Sequence, residues 1–167
     1  SHDDKIYGGA GVDRISGGSG NDEIHTGPGS NLGTMQLVTG GSGDDMIYGG
    51  VDANAIRGET GDDTITGGDA GDQLYGGGGE DIIWGEGGDD LVRGNGAADV
   101  LFGGAGNDQL DGLGGNDALY VGLGIDNLTG STGNDDLFGE QGDDVLLGGG
   151  GNDALAGGAG FDNCDGA

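Results

Sequence analysis

Basic residues, proline, cysteine and long apolar runs are all scarce in this chain. Only 4 of its 167 residues are Lys or Arg, against 31 Asp and Glu. The resulting net charge of −27 excludes a surface that attracts nucleic acid or anionic membranes. A single cysteine, Cys164, excludes an internal disulfide framework. No apolar run approaches the roughly 20 residues of a transmembrane helix, and the first residues carry no signal-peptide pattern.

Glycine and aspartate dominate instead, and they recur with a period of nine. The 48 glycines and the negative charge alone would favour a disordered chain, because backbone entropy and repulsion oppose compaction. The motif Gly-Gly-x-Gly-x-Asp-x-aliphatic-x nevertheless recurs regularly, as at 8–16, 17–25, 103–111 and 148–156. Position 6 is Asp in every regular repeat but one, which has Asn54, and position 8 is always Ile, Leu, Val or Cys. This period predicts a repetitive fold.

The repeats run through almost the whole chain. There are sixteen regular nonapeptides, and the first of them begins at Gly8. Residues 1–7 supply the end of an earlier repeat. Residues 26–39 form one irregular repeat with five additional residues, which we expect to make a loop at about 27–36. Counted this way, the chain predicts eighteen repeats in a single domain that spans residues 1–167.

The residue types in each repeat predict a short strand and a cation-binding turn. Glycines at positions 1, 2 and 4 allow backbone conformations with positive φ and let carbonyl oxygens converge. Asp at position 6 adds carboxylate oxygens, and calcium prefers six to eight such oxygen ligands. Positions 7–9 form a strand whose alternation sends position 8 inward and positions 7 and 9 outward. One buried aliphatic side chain per nine residues cannot offset backbone entropy of roughly 1–2 kcal/mol per residue. We therefore expect folding to require the cation.

These motifs resemble those of the RTX (repeats-in-toxin) family of calcium-binding nonapeptide repeats. The resemblance covers essentially the whole chain. It implies an all-β fold without helices, a right-handed parallel β-roll in which two nonapeptides make one coil, here about nine coils. It also implies that calcium ions lie between turns stacked in successive coils.

Because alternate turns fall on opposite edges of such a roll, the position-6 aspartates form two rows of predicted calcium ligands. The first row contains Asp4, Asp22, Asp45, Asp63, Asp81, Asp99, Asp117, Asp135 and Asp153. The second row contains Asp13, Asp72, Asp90, Asp108, Asp126, Asp144 and Asp162. The irregular repeat and Asn54 interrupt the second row, where we expect a gap of two or three sites. The remaining turns allow about 13 ions, within a range of roughly 10–15, which would nearly cancel the charge.

Position 9 predicts a column of aromatic side chains on one outward face. Six of the eight aromatic residues fall there: Tyr7, Tyr48, Trp84, Phe102, Tyr120 and Phe138. This assignment counts the irregular repeat as one; otherwise Tyr7 and His25 change faces. Three interpretations are open: stacking that only stabilises the sheet, an interface for self-association or for another domain, and, less favoured, stacking on sugars.

The ends of the chain also leave alternatives open. The chain begins at position 3 of one repeat and stops at position 2 of another, so the two ends are complementary. Head-to-tail stacking into a fibre is one interpretation, and a segment of a longer array, with its natural N-terminus elsewhere, is the favoured one. At inward position 8, Cys164 is expected to be a small buried apolar residue, or else half of a disulfide with a partner beyond Ala167.

No constellation of residues predicts catalysis. The only histidines, His2 and His25, have no nucleophile at a recognisable spacing, and the paired acids recur with the repeat. The sequence thus predicts a calcium-dependent structural module of a secreted or cell-surface protein, extracellular and bacterial. The alternatives are a subunit of a self-assembling fibre or adhesin, and the C-terminal module of a secreted enzyme or toxin exported by type I secretion. Calcium is the expected cofactor; nucleic acid and a membrane span are not expected.

Overall fold

Short parallel strands alternate between two sheets in the computed structural model, which describes residues 2–28 and 35–166. The centre of the predicted loop, residues 29–34, lies outside the described residues. Sixteen of the eighteen described strands start just after a position-6 residue, and the other two start at Gln36 and Asn54, which occupy that position. Beyond it, β-branched and aliphatic side chains favour extended backbone. Each sheet has nine strands among the described residues, which makes nine coils. The predicted all-β solenoid of parallel strands is confirmed.

The odd-numbered strands make the first sheet. They are β1 (Lys5–Tyr7), β3 (Glu23–His25), β5 (Met46–Gly50), β7 (Thr64–Gly68), β9 (Ile82–Gly87), β11 (Val100–Ala105), β13 (Ala118–Leu123), β15 (Asp136–Phe138) and β17 (Ala154–Ala156). The even-numbered strands make the second sheet. They are β2 (Arg14–Ser19), β4 (Gln36–Ser42), β6 (Asn54–Thr60), β8 (Gln73–Gly78), β10 (Leu91–Gly96), β12 (Gln109–Gly114), β14 (Asn127–Thr132), β16 (Val145–Gly150) and β18 (Asn163–Asp165).

The register between coils follows the repeat. Phe102 pairs with Trp84 on one side and Tyr120 on the other, each 18 residues away. Across the irregular repeat the separation becomes 23 residues, and His25 pairs with Tyr48. The irregular repeat therefore counts as one repeat, and the strands that carry Tyr7, His25 and Tyr48 share one sheet.

The core is formed by position-8 side chains from the two sheets, together with Val121, which occupies position 1 of its repeat. Aliphatic residues such as Ile83, Val92 and Leu101 are fully buried in it. Cys164 is a correction to this pattern: it pairs in register with Leu146 but is exposed as a free cysteine. Among the described residues β18 is an edge strand, and a position-8 side chain becomes buried only when coils pack on both sides. The expectation of a buried Cys164 was wrong for that reason.

No helix in the described parts of the chain is long and apolar enough to span a membrane.

Candidate calcium-binding turns

The position-6 aspartates link successive coils through one of their two carboxylate oxygens. The backbone N–H of Asp81 donates to Oδ1 of Asp99 at 2.8 Å, and that of Asp72 donates to Oδ1 of Asp90 at 2.7 Å. The same bond joins every neighbouring pair of the first row, from Asp4 to Asp153. In the second row the same bond joins every neighbouring pair from Asn54 to Asp162. The aspartates therefore form two aligned ladders.

The other carboxylate oxygen, Oδ2, is buried and has no hydrogen-bond partner along these ladders. This holds for Asp22, Asp45, Asp63, Asp72, Asp81, Asp90, Asp99, Asp108, Asp117, Asp126, Asp135, Asp144 and Asp153, and also for Asp13, which precedes the second ladder. A buried polar atom without a partner costs about 1–3 kcal/mol, and more when it is charged. Such a repeated set of orphaned oxygens indicates a bound cation.

The turn glycines leave no space for side chains around these oxygens. A Cβ atom on Gly85, at position 1, would collide with Oδ2 of Asp90 in the same repeat. At position 4, Gly106 has a φ of 145°, and its Cβ would collide with the carbonyl oxygen of Gly88 in the preceding coil. The same Cβ on Gly85 would also meet the carbonyl oxygen of Gly103 in the next coil, so a carboxylate and a carbonyl oxygen of neighbouring coils lie close together.

This donor set fits calcium, a hard cation that binds carboxylate and backbone carbonyl oxygens. Within residues 2–28 and 35–166, no three His, Cys, Asp or Glu side chains converge to form a metal site made of side chains alone. The turns would therefore hold the ion with one or two carboxylates and with backbone carbonyls, which suits calcium better than a transition metal.

Without a cation, burial raises the free energy of the ionised carboxylates relative to their protonated form. Removal from water is the largest cause that raises the pKa of Asp90 to about 7, and the neighbouring carboxylates of Asp108 and Asp72 add to it. Desolvation likewise raises the pKa of Asp63 and Asp99 to about 7. The hydrogen bond from the preceding coil lowers each of these pKa values, but by less.

The predicted gap in the second row coincides with a change in chemistry. Where regular repeats place a carboxylate, Asn54 is fully buried, and its Nδ2 donates to the carbonyl oxygen of Asp52 at 2.6 Å and to Oδ1 of Asp72 at 3.2 Å. Nδ2 of Asn54 thus lies beside Gly49 as Oδ2 lies beside the position-1 glycine in other turns, while Oδ1 of Asn54 is buried without a partner. One coil earlier, Gln36 occupies the equivalent place and donates to the carbonyl oxygen of Gly27 at 3.3 Å.

Two of the predicted ligands lie in different surroundings. Asp4 is exposed on the first coil and Asp162 is only partly buried on the last, so neither has the buried oxygen of its row. Each does belong to a ladder, Asp4 through its N–H and Asp162 through its Oδ1. That the position-6 aspartates bind calcium is tested by none of these contacts and stays a prediction.

The aromatic residues of the first sheet stack face to face in two groups. Tyr7, His25 and Tyr48 stack with ring centroids 5.0 and 4.7 Å apart. Trp84, Phe102, Tyr120 and Phe138 form the second stack, with centroids 5.7, 5.1 and 4.7 Å apart. Thr66 separates the two groups. The rings therefore stabilise one another, and their outer edges remain available on the surface.

The opposite sheet carries a cluster that the sequence analysis missed. Arg57, Tyr75 and Arg93 occupy position 9 of three successive even-numbered strands, and both guanidinium groups lie over the tyrosine ring. The signal was present in the repeat, because two of the four basic residues fall in one column on either side of an aromatic residue.

Comparisons with known proteins agree with the geometry of the turns. The family model of the RTX calcium-binding nonapeptide repeat matches residues 1–32, 37–65, 57–92, 66–100, 93–128 and 129–164. A search of curated proteins finds no match to this chain. The family model covers nearly all residues, and the repeats it describes imply several calcium ions, in keeping with the buried aspartate rows. This chain therefore belongs to the RTX calcium-binding nonapeptide-repeat family and is a calcium-binding structural β-roll.

Proposed function

We propose that the chain is a folding switch: disordered without calcium, and a stiff extracellular rod once calcium is bound. The observation that carries this proposal is the double row of buried Oδ2 atoms without partners. At neutral pH these carboxylates oppose folding, because a buried unpaired charge costs several kcal/mol. A ligand that binds only the folded state stabilises that state in proportion to its concentration and affinity. Calcium thereby couples folding to the ion content of the compartment.

The residues proposed to hold calcium are the position-6 aspartates of both rows, together with turn carbonyl oxygens. Both ladders contain only aspartate from Asp72 onward, so full occupancy is expected there. Asn54 and Gln36 are not expected to support a site, since each replaces a charged carboxylate with a neutral amide, although Oδ1 of Asn54 and Oε1 of Gln36 are buried without a partner. We infer a single domain over residues 1–167, with about 13 ions.

Extracellular calcium sites bind in the range of roughly 10⁻⁴–10⁻³ M, far above cytosolic calcium levels. A chain with such sites would stay unfolded inside a cell and fold outside it. This suits a bacterial protein exported unfolded, as by type I secretion, and RTX proteins are typically secreted bacterial proteins. The proposed role is therefore a non-catalytic spacer or folding module of a secreted or cell-surface protein, including the C-terminal module of a secreted enzyme or toxin.

The aromatic column favours a second role as a fibre subunit or adhesin arm. Its residues lie in two stacks along one face, and Tyr7 at one end is 63% exposed. The other five residues are half-buried, and apolar surface that stays exposed along one face commonly marks a contact surface. The proposed interface comprises Tyr7, Tyr48, Trp84, Phe102, Tyr120 and Phe138.

A calcium titration followed by circular dichroism, with light scattering on the same sample, tests both roles. The expected result is a cooperative gain of β signal at submillimolar to millimolar calcium that magnesium does not reproduce. Scattering that rises in the same step would support the fibre, and flat scattering the spacer. A chain that is fully folded in chelator would overturn the folding switch.

Two neighbouring carboxylates provide a matched pair of variants. Asp90→Asn removes a buried carboxylate from the second ladder, whereas Asp89→Asn alters an exposed one. The Asp90 variant should bind fewer calcium ions by isothermal titration calorimetry and need more calcium to fold, while the Asp89 variant should match the parent chain. Equal stoichiometry in the two variants would remove the position-6 aspartates from the proposed ligand set.

A further inference from the structure

The outward face of the second sheet carries a cationic cluster with unused hydrogen-bond donors. Arg57 on β6, Tyr75 on β8 and Arg93 on β10 are in register across three coils. The guanidinium carbons lie 5.4 and 5.9 Å from the centre of the tyrosine ring, so a cation lies against each side of it. The three side chains hold one another in place.

Neither arginine has an acidic partner within the described residues. The ion pairs there both involve Glu23, which contacts Lys5 and His25 on the other sheet. A guanidinium group has five N–H donors in a planar fork, and Nε of Arg93 is buried without an acceptor. In a chain with 31 acidic residues, two arginines without an ion pair are unusual. Arg57 is exposed, so its donors are available for a ligand, whereas the buried Nε of Arg93 leaves that residue the role of holding Tyr75 in place.

A shallow cavity of about 300 Å³, wide open to solvent, lies beside this cluster and is lined by Arg57, Glu59, Tyr75, Gly76, Gly77 and Asn95. Gly77, at position 2, lines the cavity and lies in register between Glu59 and Asn95. Position 77 favours glycine for two reasons. Its φ is 127°, and a Cβ there would collide with the carbonyl oxygen of Glu59. The volume is at the lower end of the range for small-molecule sites.

The lining residues specify the chemistry of the ligand. The planar fork of Arg57 matches a carboxylate in bidentate geometry. The Glu59 carboxylate accepts hydrogen bonds, and the Asn95 amide both donates and accepts them, so both suit hydroxyl groups. We propose that this cavity binds a carboxylate-bearing sugar unit, with its carboxylate on Arg57 and its hydroxyls on Glu59 and Asn95.

An acidic turn of a second copy is a poorer ligand for the same cavity. Such turns present adjacent carboxylates, as at Asp89-Asp90 and Asp143-Asp144. Glu59 would repel the second carboxylate, whereas a sugar carries one carboxylate together with hydroxyls. The cavity also lies on the sheet opposite the aromatic column, so this site is distinct from the proposed interface.

The test uses the calcium-loaded chain at fixed free calcium, with amide NMR shifts followed during titration with D-galacturonate. D-galactose, which lacks the carboxylate, and acetate, which lacks the hydroxyls, serve as matched ligands. Galacturonate should cause saturable shifts at Gly77 and Asn95, and the other two compounds should bind at least about tenfold more weakly. Arg57→Gln and Arg57→Lys should each weaken binding by about tenfold or more, since both remove the fork. Arg14→Gln, which changes an exposed arginine on β2, should have no effect.

Three results would overturn the proposal. The first is an absence of saturable shifts with galacturonate at these residues, and the second is equal binding of acetate and galacturonate. The third is self-association by sedimentation velocity that Arg57→Gln abolishes while galacturonate has no effect, which would assign the cluster to a second copy. Unchanged resonances elsewhere in the Arg57 variants establish that they fold, so loss of binding in them is interpretable.

Discussion

Oδ1 of Asp99 accepts a hydrogen bond from the backbone N–H of Asp81 at 2.8 Å, while Oδ2 of the same carboxylate is buried with no partner. One carboxylate thus has two roles. Its first oxygen joins two coils, and its second supplies charge to the space between turns. Because the pattern recurs along both rows, each unpartnered oxygen adds its own free-energy cost to the folded state. A cation that neutralises these oxygens removes that cost at every repeat.

The pH dependence of the calcium-free chain follows from these buried carboxylates. Burial raises the pKa of Asp63, Asp72 and Asp90 to about 7 in the folded state, from the usual 3.8. A raised folded-state pKa favours the folded chain below pH 3.8, and this contribution is lost as the pH rises through about 7. Calcium-stripped protein should therefore gain β structure by circular dichroism when the pH falls from 8 to about 5. An unchanged spectrum over this range would contradict the assignment.

Asn54→Asp should add a calcium site to the second row. The change replaces the amide that donates to Asp52 and Asp72 with a carboxylate like those of the regular repeats. Calcium stoichiometry by isothermal titration calorimetry should rise by about one ion. Without calcium the variant should be less folded than the parent chain, because it has another buried charge and one donor fewer. Unchanged stoichiometry would mean that the neighbouring Gln36 or Asp52 prevents a site there.

Ala97→Gly should stabilise the calcium-loaded chain. Ala97 has a φ of 82°, in the left-handed region that costs a residue with a side chain about 1–2 kcal/mol. Glycine removes this strain, so the free energy of unfolding in saturating calcium should rise by about 1 kcal/mol. The adjacent exposed Ala98 is the control, because it lacks a positive φ. Ala98→Gly should destabilise by about 0.5–1 kcal/mol, and equal effects of the two changes would refute the strain argument.

Phe102→Ala should destabilise the rod by interrupting the longer aromatic stack. Phe102 contacts Trp84 and Tyr120 with centroids 5.7 and 5.1 Å apart. Each such pair contributes about 0.5–1.5 kcal/mol beyond area burial, so a loss of about 1–3 kcal/mol is expected in a chemical denaturation series. Phe161→Ala is the matched control, since Phe161 is 90% exposed and should change stability by less than about 0.5 kcal/mol.

Sedimentation velocity on the same two variants separates stacking from an interface. If the aromatic column binds another molecule of this chain, Phe102→Ala should reduce association in calcium while the β signal persists. If the rings only stabilise the sheet, the variant should lose stability without any change in association.

Much of the fold could be predicted because each repeat specifies its own environment. Position 8 is inward in every coil, so an aliphatic residue such as Ile83 or Leu101 could be placed in the core from its position alone. The same counting placed Tyr7 and His25 in one column with Tyr48. The prediction that Cys164 is buried was wrong, since burial depends on the next coil as well as on the position within the repeat.

The contacts of the unusual residues could not be predicted in this way. That Asn54 donates to Asp72 depends on a carboxylate 18 residues away being turned toward it. That Arg57 and Arg93 lie against Tyr75 depends on the side-chain rotamers chosen in three separate coils. A repeat gives the position of each side chain but not its conformation.

The nine-residue period was sufficient to specify the strands, the two rows of aspartates, the position-8 core residues and calcium as the ligand. Its information is local, because glycine conformations and strand alternation act within one repeat. Three-dimensional packing decided which oxygen of each aspartate is bonded and which is left without a partner, which groups the Asn54 amide contacts, and that a cavity lies beside Arg57. These features arise between coils, where residues 18 positions apart come within one strand spacing of about 4.8 Å.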